Sequence, residues 1–236
     1  NPNEIPDGIS TPEISLSMIN GEEASDISLE MGNAISIPFE GSLVSNSFLS
    51  AITNGKAIRI TIPENWRNET PLILDVKPTG GLDAVHIHVE TGKFSEATIL
   101  TRVQGSSEWL GILRTGHTGV GSFLQDVFVN KARDGNLMRV DALKLGRDSS
   151  VTAGTVSAGS AWTKADIRYL LDAPGSNLNV LGSLLSADQM HLDHHIEISH
   201  LAPNTYSRLA WHTACGGNST SCLLYTSDAA DDNVGV

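Results

Sequence analysis

The feature that most constrains this chain is a two-residue alternation of apolar and polar side chains, interrupted at intervals by turn-forming residues. Ala57–Pro63 reads AIRITIP, with Ile58, Ile60 and Ile62 on one side and Arg59 and Thr61 on the other. Ala84–Glu90 repeats the pattern, setting Val85, Ile87 and Val89 against His86, His88 and Glu90, and Ala97–Val103 continues it. Successive side chains of a strand point to opposite faces, so alternation of this kind predicts half-buried strands. Strands are likewise expected at Leu72–Val76, Gln125–Lys131, Asn136–Leu145, Val151–Ser157, Ala165–Leu171, Asn179–Leu185 and His191–His200. Turn chemistry separates them: Arg-Asp-Gly-Asn at 133–136, Gly-Arg-Asp-Ser at 146–149 and Asp-Ala-Pro-Gly-Ser-Asn at 172–177. Residues 105–122 hold too many glycines for a helix and are expected as strand and turn. The first 30 residues are polar and acidic and read as a loosely structured lead-in, with the change of character near Ile35. Short strands at regular spacing without intervening helices make an all-β sandwich, barrel or solenoid. There is no Cys…Trp…Cys immunoglobulin spacing and no strict hexapeptide repeat, so alternation alone leaves sandwich and solenoid open.

The composition narrows function by exclusion. The 236 residues suffice for one large domain or two small ones, and 40% hydrophobic residues supply a sizeable core. Aromatics are only 5%, so that core must rest on Val, Ile, Leu and Ala. A formal net charge of -12 speaks against non-specific nucleic-acid binding, which needs clustered Lys and Arg. No run of eighteen apolar residues occurs, so no membrane span is expected. The N-terminus has neither the basic nor the apolar region of a signal peptide. Two cysteines make no disulfide framework, and a reducing, cytoplasmic setting is expected. P-loop, GxGxxG, GxSxG and CxxC motifs are all missing, which argues against an intrinsic ATPase or dehydrogenase.

Histidine placement supplies the candidate chemistry. On a strand at 191–200, His191, Asp193, His195 and Glu197 share one face, roughly 6–7 Å apart. Leu192, Ile196 and Ile198 take the opposite, core-facing side, and parity places His194 and His200 with them. Two imidazoles and a carboxylate could converge on iron or zinc if they tilt together, which makes His191, Asp193 and His195 a candidate metal site. The same residues also suit a polar outer wall. His86 and His88 form a second His-x-His pair, expected on a solvated face. Cys215, beside Gly216-Gly217, is a soft thiolate candidate without an assigned role.

The run Gln189–Arg208, QMHLDHHIEISHLAPNTYSR, resembles the signature of the SufB/SufD family of iron–sulfur cluster assembly proteins. The matching residues are Gln189, His191, Asp193, His195, His200, Ala202, Pro203, Asn204, Ser207 and Arg208. Met190 interrupts the usual Gln-His adjacency, and His212 stands where the family carries a Lys. Softer likeness covers residues 45–221. The resemblance implies a right-handed parallel β-helix core. It also implies a non-enzymatic scaffold that handles an iron–sulfur cluster transiently, at the level of the complex, and binds none tightly itself. The implied partners are a SufB-like subunit and a SufC-like ATPase, with no nucleic acid and no membrane. The Asp-His-His element and leading Gln-x-His are more SufD-like than SufB-like. The alternative is a metal-dependent β-solenoid or cupin-like hydrolase or lyase using His191, Asp193 and His195.

Cys222–Asp232, CLLYTSDAADD, resembles a translated sequencing adapter. The expected organisation is therefore a lead-in at 1–44, a β-helix core at 45–221 and a non-native tail at 222–236. On this expectation the natural chain continues beyond Ser221, toward the helical segment by which the family docks its ATPase.

Overall fold

The alternating segments become strands because their apolar faces can be buried only against one another. A computed structural model describes residues 8–34 and 44–228. The remaining residues of the lead-in and tail fall outside it. The elements are β1 (Glu13–Met18), β2 (Ser28–Asn33), α1 (Val44–Ile52), β3 (Lys56–Ile62), β4 (Leu72–Lys77) and β5 (Leu82–Thr91). They continue as β6 (Glu96–Gly105), β7 (Trp109–His117), β8 (Phe123–Ala132), β9 (Asn136–Leu145) and β10 (Ser150–Ser157). The last five are β11 (Trp162–Leu171), β12 (Asn177–Ser186), β13 (His191–His200), β14 (Tyr206–Cys215) and β15 (Thr220–Asp228).

Consecutive strands do not pair with each other. One sheet runs β15-β13-β11-β9-β7-β5-β3-β2 and the other β1-β4-β6-β8-β10-β12-β14. From β3 onward the chain alternates between the two sheets, and neighbours within each sheet are parallel. The result is the expected parallel β-solenoid, with about six coils of one strand from each sheet. Leu82 opposes Trp109 and Trp109 opposes Asn136, whereas Trp162 opposes His191 and His191 opposes Thr220. The structural repeat is thus the interval between same-sheet strands, about twice the strand spacing seen in the sequence. Ile60, Ile87, Ile99, Ile112, Leu124 and Ile196 fill the space between the sheets.

The coils stack closely at their corners. Gly135 has φ +79°, and a Cβ there would lie 1.5 Å from the Ser107 carbonyl oxygen of the coil below. Asn65, Asp148, Asp188 and Asn204 take the left-handed conformation at other turns, a region Asn and Asp tolerate.

The lead-in is more ordered than its composition indicates. β1 lies antiparallel on β4 and β2 antiparallel on β3, so each sheet's first edge is paired. Helix α1 crosses the outer face of the larger sheet, where Leu49 and Ile52 pack on Ala84, Leu113 and Val140. At the other end β15, whose Cys222–Asp228 belong to the tail, continues the sheet in register with β13.

The interior also holds charge. Arg114 donates to Asp126 at 2.5 Å and to Asp141 at 2.9 Å, bridging the two sheets. Arg139 clamps Asp141 from Nε at 2.9 Å and from Nη2 at 2.5 Å, and donates to Thr155 Oγ1 at 3.0 Å. Its guanidinium carbon sits 3.9 Å from the Phe128 ring centroid. Two arginines and two aspartates thus balance one another in a largely apolar interior.

Candidate functional site

β13 presents its side chains as the alternation predicts. Leu192, His194, Ile196 and Ile198 are buried, whereas His191, Asp193, His195 and Glu197 are half-buried on the outer wall. The outer residues find partners sideways rather than along their own strand. Lys164 donates to Asp193 at 2.7 Å, Arg168 lies 3.1 Å from Glu197, and His195 Nδ1 stands 3.7 Å from Asp166. Asp166 also accepts from Ser45 at 2.8 Å, at the start of α1. Adjacent strands lie about 4.8 Å apart, closer than the roughly 6.6 Å between same-face residues of one strand, so lateral pairing wins. The result is a ladder of alternating charge between β11 and β13.

Gln189 lies in the turn before β13, and the remaining motif residues shape the β13–β14 corner. Gln189, Pro203 and Arg208 are exposed, and Asn204 sits at φ +56° in the turn, where its carbonyl accepts from Gly175 N at 3.1 Å. Thr205 Oγ1 donates to the Ala202 carbonyl at 3.1 Å, so its lone pairs face His200 Nδ1, 2.7 Å away. His200 Nδ1 therefore carries the proton, and Nε2 accepts from Ser207 at 2.9 Å. This histidine clamps a turn by joining both of its sides.

His194 points inward, with its ring 5.5 Å from that of Trp211. Burial, reinforced by the Arg139 charge, lowers its pKa from 6.5 to about 4. Cys215 and Cys222 are free and exposed.

The expectation for His86 and His88 is corrected. They are 4% and 0% exposed, not solvated. Their strand β5 lies near the covered end of the sheet, with α1 over Ala84 and Leu113 on the same face. Both rings converge on Thr115 Oγ1, His86 through Nε2 and His88 through Nδ1, each at 2.7 Å. His88 Nε2 then meets Glu90 Oε1 at 3.0 Å. Burial, with a smaller push from His88, lowers the His86 pKa to about 4. Burial also lowers that of His88, against the opposing pull of Glu90. Among the described residues, His88, Glu90 and His117 are the His, Cys, Asp or Glu group whose ligand atoms all lie within 4.8 Å of one another. Sequence spacing points to His191, Asp193 and His195 instead. His117 lies a full coil beyond Glu90, and only the register between β5 and β7 brings the two opposite each other.

Among the described residues no helix is long and apolar enough to cross a membrane. A family model described as SUF system FeS cluster assembly, SufBD core domain, matches residues 76–224, which is more than half of the chain. No curated protein matches the chain in sequence comparison.

Proposed function

Since the chain belongs to the SufBD core domain family of the SUF iron–sulfur cluster assembly system, we propose that it serves there as a SufD-like, non-enzymatic scaffold subunit. The observation that carries this reading is the extent of the family match, which spans the solenoid from the end of β4 into β15. A rigid two-sheet wall suits a scaffold because it presents long strand faces and sheet edges without needing to move. In this reading the chain pairs with a SufB-like subunit and works with a SufC-like ATPase in the cytoplasm. The iron–sulfur cluster is cargo of the complex, assembled on the partners together and not held by this chain alone. Neither nucleic acid nor a membrane is a partner, in keeping with the net charge of -12. The SufD-like assignment rests on the Gln189-x-His191 and Asp193-His194-His195 elements.

The hydrolase or lyase reading gains nothing from the outer wall. Asp193 accepts a hydrogen bond from Lys164, and His195 Nδ1 stands 3.7 Å from Asp166.

Co-expression of this chain, tagged, with a SufB-like and a SufC-like protein tests the proposal. A stable complex of all three on size-exclusion chromatography is the expected result. Recovery of the other two bound to each other, with this chain left free, refutes it.

A further inference from the structure

We propose that His88, Glu90 and His117 form a binding site for one first-row divalent transition-metal ion, with its remaining coordination position open to solvent. This inference stands on the geometry of the chain and does not depend on the SUF reading.

The donor atoms come from two adjacent strands. His88 and Glu90 are two residues apart on β5, hence on one face, and His117 of β7 lies directly opposite Glu90 in the ladder. Their ligand atoms lie within 4.8 Å of one another, and the His88 and His117 ring centroids are 6.3 Å apart. Metal bonds of about 2.0–2.2 Å place ligand atoms roughly 3–4 Å apart around the ion. His88 Nε2 and Glu90 Oε1 already meet that spacing at 3.0 Å. Only His117 has to swing inward, and its side chain is exposed at the end of its strand.

The pair at 3.0 Å carries the argument further. An imidazole lone pair and a carboxylate oxygen at this distance repel unless a proton or a cation lies between them. A metal ion would replace the single proton between the two groups and use both lone pairs. The other side of His88 is built for that exchange. Its Nδ1 is 2.7 Å from Thr115 Oγ1, which is itself 2.7 Å from His86 Nε2. When an ion lies between Nε2 and Glu90, Nδ1–H donates to Thr115 and Thr115 donates to His86, which leaves the His88 Nε2 lone pair for the ion. Metal-ligating histidines almost always donate their second ring N–H in this way. His86, buried beside Thr115, accepts this bond.

The ligand set selects the ion class. Two imidazoles and one carboxylate suit zinc, iron, cobalt or nickel, whereas magnesium and calcium prefer all-oxygen shells. Three protein ligands leave a coordination position vacant, as in catalytic rather than structural sites. His117 is exposed, so this position faces solvent and the ion can exchange. One feature opposes binding: Arg59 Nη2 lies 3.4 Å from Glu90 Oε1 and competes for the carboxylate. Lys144, opposite His117 on β9, is drawn instead to Asp172 at 2.8 Å.

Titration of the tag-free, chelator-treated chain with Co²⁺, followed by d–d absorption, tests the site, with Zn²⁺ as competitor. One equivalent of Co²⁺ should bind and be displaced by Zn²⁺. His117→Ala, an exposed change, should abolish saturable binding, as should Glu90→Gln. Thr115→Val should weaken binding about tenfold or more, the loss seen when a supporting partner is removed. Arg59→Gln should strengthen it, and a His191→Ala, His195→Ala double variant should bind as the parent does. No saturable binding by the parent chain overturns the proposal. So does binding that survives in both His117→Ala and Glu90→Gln, or that disappears only in the double variant.

Discussion

Replacing Asp141 with Asn perturbs the centre of the interior charge network while keeping nearly the same shape. Asp141 receives three charge-assisted hydrogen bonds, two from Arg139 and one from Arg114. Its oxygens are occupied solely by donors, and an amide would aim an N–H₂ group at a guanidinium that cannot accept. The substitution also removes one negative charge from a balanced set of two arginines and two aspartates. Arg114 and Arg139 are 6% and 2% exposed, so solvent does not screen the imbalance. Breaking a buried pair by removing one partner costs about 3–5 kcal/mol, against a total stability of about 5–15 kcal/mol. With a urea slope of about 1–3 kcal/mol per molar, the unfolding midpoint should fall by at least about 1 M. Urea titration followed by far-UV circular dichroism measures this. Lys164→Ala provides the comparison, because it breaks a part-exposed pair worth about 0–1 kcal/mol. The pH dependence adds a second check. Burial pushes the Asp141 carboxyl up, but Arg139 and then Arg114 outweigh that and hold it below the ordinary carboxylate range. Its contribution is therefore complete above the unfolded-state pKa and is lost as pH falls through the lower folded-state value. If Asp141→Asn loses no more stability than Lys164→Ala, the interior charges are not the closed network described.

Two further outcomes follow from interior contacts. His194, with a folded-state pKa of about 4 against 6.5 when unfolded, favours the unfolded chain as it takes up a proton. Its penalty is absent above pH 6.5 and grows to about 3 kcal/mol as pH falls toward 4. The stability of His194→Phe, measured by urea unfolding at pH 7 and pH 5, should fall less steeply than that of the parent; equal slopes would refute the assignment. At Gly182 a Cβ would lie 2.1 Å from the Trp211 ring, so Gly182→Ala should cost about 1–3 kcal/mol by overpacking. Thermal unfolding of Gly182→Ala with and without Trp211→Leu checks it, since the smaller partner should recover much of the loss.

The sequence by itself determines the strands and which of their faces is buried. Period-two alternation follows from backbone geometry, so Leu192, His194, Ile196 and Ile198 could be assigned to the interior of β13 before any partner strand was known. Three of the turns were equally legible, and Gly135, Asp148 and Gly175 take the left-handed backbone in them. Partner choice was not legible. β13 bonds to β11 and β15, each a full coil away, and nothing in its own residues specifies that distance. Resemblance, not alternation, decided between solenoid and sandwich. The same limit governed the candidate sites. Spacing along one strand grouped His191, Asp193 and His195, but the ladder gave Asp193 to Lys164 and set His195 toward Asp166. His86 and His88 read as solvated because alternation shows which residues share a face, not what covers it. Helix α1 covers that end of the wall, and β2 pairs its edge. The meeting of His88 and Glu90 with His117 is likewise a product of register between strands. Alternation is a property of a few consecutive residues, whereas register and coverage arise only when the whole chain has closed its coils.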